Sequence, residues 1–157
     1  MLDIGARAPE FVLNDHEGYE TSLSDLLQNG PLILYFYPAD FTPGCTKEAC
    51  SIRDIHNDIQ SVGLQVAGVS PQDESSHKRF REEHDLPFTL LCDPEKVAIK
   101  MYDVDGPFGV GVRRATFLIT QERKIQDAML ADVRIGRHKE FIEKAVILRE
   151  TAGLKSD

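Results

Sequence analysis

Three observations predict an α/β fold with a central mixed β-sheet flanked by helices. Leu32-Ile33-Leu34-Tyr35-Phe36-Tyr37 is a continuous apolar and aromatic run closed by Pro38, the pattern of a strand buried on both faces. A helix-compatible stretch and a second apolar run over residues 64–70 follow it, which makes a β-α-β unit. Residues 115–119 and 125–129 then read as a hairpin pair, so the sheet is mixed and not wholly parallel.

The remaining elements fall around that frame. Phe11-Val12-Leu13 and Tyr19-Glu20-Thr21 flank the turn residues Asp15-His16-Glu17-Gly18, the signature of an N-terminal β-hairpin. Ala49, Ile52, Ile55 and Ile59 recur at helical spacing, so a helix is predicted from Cys45 to about Val62, with Gly63 ending it. Residues 73–84 form a helix opened by Asp73, Glu74, Ser75 and Ser76; residues 89–91 form a short strand; a helix over 94–101 begins at an Asp93 cap. A last helix spans 137 to about 148. The predicted organisation is a single domain over residues 1–150 with a polar C-terminal tail over 151–157.

Composition bounds the function. The chain has 157 residues, 41% apolar and 28% charged, enough for one hydrophobic core. A net charge of −8 argues against a general binder of nucleic acid or anionic membrane, which needs clustered lysine and arginine. No apolar run approaches the roughly 20 residues needed to span a bilayer. Met1-Leu2-Asp3-Ile4-Gly5 lacks the basic and apolar segments of a secretory signal, so a cytoplasmic protein is expected. Three cysteines in that setting are expected to be reduced, catalytic or simply buried, and no spacing suggests zinc.

The chemistry concentrates in Tyr37-Pro38-Ala39-Asp40-Phe41-Thr42-Pro43-Gly44-Cys45-Thr46-Lys47-Glu48-Ala49-Cys50. Thr42 fits an N-cap and Pro43 the first helical position. Cys45 then lies in the first turn, where unpaired N–H groups and the helix dipole favour a thiolate, the nucleophilic form. The bland alternative is a cysteine acting as a small buried hydrophobe. Asp40 is expected to shape the loop, since a carboxylate beside Cys45 would work against its thiolate. Of Arg113 and Arg114, alternation along a strand sends one toward the site and one away. The five histidines, His16, His56, His77, His84 and His138, are expected at the surface or at helix caps.

Pro38, Thr42 and Cys45 form Pro-x-x-x-Thr-x-x-Cys, and the string from Phe36 to Cys50 resembles the bacterioferritin comigratory, or Q-type, peroxiredoxins. The resemblance extends from Gly5-Ala-Arg-Ala-Pro-Glu-Phe through Leu90-Leu91-Cys92-Asp93-Pro94 to Arg114-Ala115-Thr116-Phe117-Leu118-Ile119. It implies a thioredoxin-like fold and reduction of hydrogen peroxide and organic hydroperoxides without metal, haem, flavin or other cofactor. Cys45 matches the peroxidatic cysteine, whose thiolate attacks a peroxide and becomes a sulfenic acid. Thr42 and the amides around Gly44 and Cys45 match the peroxide-binding donors, Pro38 the residue that shields the thiolate, and Arg114 the arginine that pairs with it. Glu48 matches a position that orients this arginine, and an exposed carboxylate stabilising the first helical turn is its alternative.

Cys50 matches the resolving cysteine, so the resemblance implies an intramolecular Cys45–Cys50 disulfide recycled by thioredoxin or a similar dithiol. On one regular helix the two Cα atoms would lie about 8.6 Å apart, beyond the limit of about 7 Å for a disulfide, so the helix start would have to unwind. Alternatives are an inert Cys50 with an external thiol reductant, a thiol–disulfide exchange protein, and a redox-sensing module. Cys92 is expected to be a packed thiol, with a back-up resolving role as its alternative. The resemblance implies a monomer, with a weak dimer as the other state on this fold. Two departures from the family pattern, Ala39 and the turn Thr120-Gln121-Glu122-Arg123-Lys124, bear on loop geometry only.

Overall fold

In the computed structural model, which describes residues 1–156 and the side chains of residues 1–152, the chain opens with a hairpin of β1 (Val12–Asp15) and β2 (Glu20–Ser22). A one-turn helix α1 (Leu23–Leu26) follows, held by a reciprocal capping box between Ser22 and Asp25. Then come β3 (Leu32–Phe36), α2 (Pro43–Asp54), α3 (His56–Ser61), β4 (Gln65–Ser70), α4 (Glu74–Glu83), β5 (Thr89–Cys92) and α5 (Val97–Met101). A 3₁₀ turn (Pro107–Gly109), β6 (Ala115–Ile119), β7 (Ile125–Leu130) and α6 (Gly136–Ser156) complete the described chain.

The strands form one sheet in the order β2-β1-β5-β4-β3-β6-β7. Pairs β3/β4 and β4/β5 are parallel, whereas β1/β2, β1/β5, β3/β6 and β6/β7 are antiparallel. This is the mixed sheet with an N-terminal hairpin that the sequence predicts, on a thioredoxin-like plan. All five residues of β3 are buried. Their alternation divides the core: Leu32, Leu34 and Phe36 join Leu23, Tyr102 and Phe117 on one face. Ile33, Tyr35 and Tyr37 join Cys45, Ile52, Phe80 and Ile142 on the other. Burying a side chain such as Ile52 contributes about 2–3 kcal/mol, so α2 is pinned to the sheet along its Cys45, Ala49 and Ile52 face.

Three boundaries differ from expectation. The predicted helix over 45–62 is two helices, because Ile55 leaves helical geometry (φ −108°, ψ 10°) and its N–H bonds Ile52 three residues back. Gly63 ends the pair in the left-handed region, at φ +79°. The helix expected from Pro94 starts at Val97, yet Asp93 still anchors it by accepting from Val97 N and Ile99 N at 2.7 and 2.9 Å. The last helix runs past the expected end near 148 to Ser156, through most of the residues read as a polar tail; Asp157 lies outside the described residues. The turn between β6 and β7, which has no glycine, closes by placing Arg123 at φ +65°.

Candidate active site

The site forms where the carboxyl end of β3 meets the start of β6. Antiparallel pairing sets Phe36 opposite Ala115, so the residues just beyond β3 lie beside Arg114. Tyr37 continues into Pro38, and the loop to α2 is tied down by Asp40. The Asp40 carboxylate accepts from Tyr37 Oη at 2.7 Å and from Ser76 Oγ at 2.8 Å, and lies 2.6 Å from His77 Nδ1. Asp40 thus shapes the loop, as the sequence suggests, through a fully buried partner on α4.

Thr42 occupies the N-cap position of α2 in extended geometry, and Pro43 follows at the first helical position. Its side chain does not cap the helix. The hydroxyl donates to Ala39 O at 3.1 Å, so Thr42 braces the loop and leaves the first-turn amides without a side-chain cap. Cys45 sits in this turn and is 1% exposed.

Arg114 Nη2 donates to Cys45 Sγ at 3.3 Å, and Nη1 donates to Glu48 Oε1 at 2.8 Å. Glu48 lies one turn after Cys45 on the same helix face and is buried, which removes the exposed-carboxylate alternative. Arg113 points the other way, paired with Asp132 at 2.8 Å on the surface, as strand alternation requires. Gly44 makes the approach possible. A Cβ there would stand 2.7 Å from Ile135 Cδ1 and 3.2 Å from Arg114 Nη2, too close for both to stay.

The electrostatics follow from burial and pairing. Burial pushes the Glu48 carboxyl up to about 7 against the pull of Arg114. Burial works against the Arg114 cation, but Glu48 and Cys45 outweigh it and hold the guanidinium charged. A cleft of about 630 Å³ opens beside this cluster, lined by Pro38, Pro107, Val110, Val112 and Arg114 among others. Pro38, half-buried, lines the cleft and begins the loop that leads to the thiol. Among the described residues no group of three or more His, Cys, Asp or Glu side chains is placed to hold a metal ion.

The other two thiols are elsewhere. Cys50 is half-buried in the middle of α2, unbonded to Cys45, with unbroken helix between them. Cys92, at the end of β5, is buried, and its Sγ contacts Asp15 O at 3.8 Å. Burial, and then the nearby Glu74, Asp40, Asp73 and Asp15, push its thiol up to about 12.

The expectation for the histidines is corrected at three positions. His56, His77 and His138 are buried. His138 stands behind Glu48, with Nδ1 2.7 Å from Thr116 Oγ1 and 3.5 Å from Glu48 Oε2. Its signal was present in the sequence: His138 shares the i, i+4, i+7 stripe of Ile142 and Ala145, the buried face of α6.

The family model described as AhpC/TSA matches residues 4–128. Peroxiredoxin Bcp of Bacillus subtilis is 40% identical over 130 residues, covering 79% of this chain and 82% of that protein. The chloroplastic peroxiredoxin Q of Oryza sativa subsp. japonica is 41% identical over 123 residues, covering 78% of this chain and 56% of that protein. The crystal structure of peroxidoxin BcpB from Mycobacterium tuberculosis superposes with a TM-score of 0.88 at 31% identity, covering 94% of this chain and 98% of that one. With a thiol, an arginine and a proline gathered at a helix mouth on this sheet, the chain belongs to the AhpC/TSA-peroxiredoxin superfamily and matches its Bcp and peroxiredoxin Q type.

Proposed function

We propose that this thiol peroxidase reduces hydrogen peroxide and organic hydroperoxides at Cys45, and that Cys50 resolves the product into a disulfide that thioredoxin or a similar dithiol reduces. One observation carries the reading: Arg114 donates to Cys45 Sγ at 3.3 Å, in an uncapped first helical turn beside an open cleft. A cation and unpaired amides together favour a thiolate and stabilise charge on a leaving oxygen. The thiolate attacks one peroxide oxygen, the O–O bond breaks, and Cys45 becomes a sulfenic acid while water or an alcohol leaves. Pro38, Pro107, Val110 and Val112 give the cleft an apolar wall suited to an organic tail.

Cys50 thiolate would then attack the Cys45 sulfenic acid, expelling water. Both residues lie in the same helical run of α2, so this step needs the first turns to unwind. The first-turn bond from Thr46 N to Thr42 O, and Arg114, held by Glu48 from within α2, are the contacts that this unwinding would change. We place this chemistry in a monomer in the cytoplasm, a compartment in which thiols are kept reduced.

Stopped-flow mixing with stoichiometric hydroperoxide tests the reading. Wild-type protein and Cys50→Ser should both lose the Cys45 thiol rapidly, whereas only wild type should turn over with thioredoxin. Full steady-state turnover of Cys50→Ser would remove Cys50 from the cycle.

A further inference from the structure

Behind Arg114 lies a buried group that the proposed chemistry leaves unused. His138 Nε2 is 2.9 Å from Ala131 O, which can only accept, so Nε2 carries a hydrogen. In neutral His138, Nδ1 is then an acceptor, and Thr116 Oγ1 at 2.7 Å donates to it. Glu48 Oε2 faces that same nitrogen at 3.5 Å and has no hydrogen-bond donor, although it is buried. Buried carboxylate oxygens without a donor are costly. One added proton, on Nδ1 or on Oε2, gives Oε2 the partner it lacks.

The charge count points the same way. With Cys45 as thiolate, Glu48 ionised and Arg114 cationic, the cluster carries one net negative charge at positions between 0% and 6% exposed. A single proton on Glu48 or His138 neutralises it. The other groups facing the pair are Asp132 and Arg137, beside the start of α6, and Tyr35 from β3, whose buried hydroxyl is unpartnered. Asp132 is already paired with Arg113. None of them replaces the missing proton.

We propose that His138 is a positioning residue for the thiolate: it and Glu48 share one proton, taken up as Cys45 loses its own, and so keep Arg114 on the sulfur. The inference rests on Cys45 being the peroxidatic thiol. When Glu48 is fully ionised it competes with Cys45 for the guanidinium; when the pair holds the proton, the competition weakens. Burial disfavours charge on both groups, raising Glu48 to about 7 and lowering His138, so the added proton is held most readily on the carboxyl, whose Oε2 faces His138 Nδ1.

The step balances. Cys45 Sγ–H gives its proton to the Glu48–His138 pair and becomes thiolate. The thiolate attacks ROOH, the O–O bond breaks, and an S–O bond forms as the sulfur is oxidised by two electrons to Cys–SOH. The alkoxide RO⁻ takes back one proton from the pair through solvent in the cleft, leaving ROH and the pair as it began.

The test is an NMR titration of the His138 imidazole in the wild-type protein and in Cys45→Ser. Removing the thiolate should lower the apparent titration midpoint of the pair by about one pH unit. His138→Gln should alkylate Cys45 with iodoacetamide about tenfold more slowly near neutral pH and lose the inflection that the pair gives to the pH profile. Identical His138 titrations in the two proteins would overturn the proposal, and that comparison leaves His138 unaltered, so it holds even where His138→Gln fails to fold. An alkylation profile of folded His138→Gln that superimposes on wild type would overturn it as well. Oxidation of Cys45 by stoichiometric peroxide, followed in the same wild-type sample, tests the peroxidase reading separately: a titration shift without oxidation would keep the shared proton and reject the peroxidase.

Discussion

Cys45 and Cys92 are buried alike, 1% and 3% exposed, but the charges around them are opposite. Cys45 lies in an uncapped helical turn with Arg114 donating to its sulfur. Cys92 lies at a strand end facing a backbone carbonyl, and four carboxylates add to burial in keeping its proton on. Burial alone therefore says nothing about which thiol reacts. What separates them is the sign of the neighbouring charge, a cation beside one thiol and carboxylates beside the other, and the proposed reaction at Cys45 rests on that difference.

Substitutions can break that contrast from either side. The largest effect is expected from Cys45→Ser, which should abolish peroxide turnover, with the loss read in a coupled reductant assay. Removing the cation while keeping bulk, Arg114→Gln, should slow thiol oxidation by about 100-fold, the size expected for losing one preorganised charged donor. Gly44→Ala leaves every charge in place but puts a methyl 2.7 Å from Ile135 Cδ1 and 3.2 Å from Arg114 Nη2. Displacing the guanidinium this way should cost about tenfold in oxidation rate, measured by stopped flow.

Stability gives an independent reading of the same cluster. Glu48 is raised in the folded protein from 4.5 to about 7, so its contribution is fully present below about 4.5 and is lost as pH rises through 7. That loss is on the order of 3 kcal/mol for a shift of this size. Glu48→Gln should flatten the decline in urea-unfolding free energy between pH 5 and pH 8; an unchanged slope would mean that Glu48 is not the group responsible. The smallest effect belongs to the other thiol: Cys92→Ser should leave peroxide turnover within about twofold of wild type, since nothing near Cys92 stabilises its anion.

Much of this was legible in the chain. β3 showed itself as an unbroken apolar run, and the Thr-Pro-Gly-Cys sequence announced a thiol at a helix start because proline and glycine fix backbone geometry locally. Arg114 against Arg113 was legible as an alternation and settled as one buried and one surface arginine. What stayed hidden depends on distant pairing. The hydroxyl of Thr42 turns back to donate to Ala39 O and does not accept from a first-turn N–H, a choice that sequence does not rank. His77 and His138 become structural only because the fold brings them to Asp40 and Glu48, 37 and 90 positions away in the chain. The short helix α1 had a readable signal in Ser22-Leu23-Ser24-Asp25, a capping box.

From the local charges, reaction is expected at Cys45 and not at Cys92. Mass spectrometry of the protein after one equivalent of hydrogen peroxide tests this most directly. A Cys45–Cys50 disulfide with Cys92 unmodified is the expected product. A Cys45–Cys92 linkage, or oxidation at Cys92 while Cys45 remains a free thiol, would contradict it.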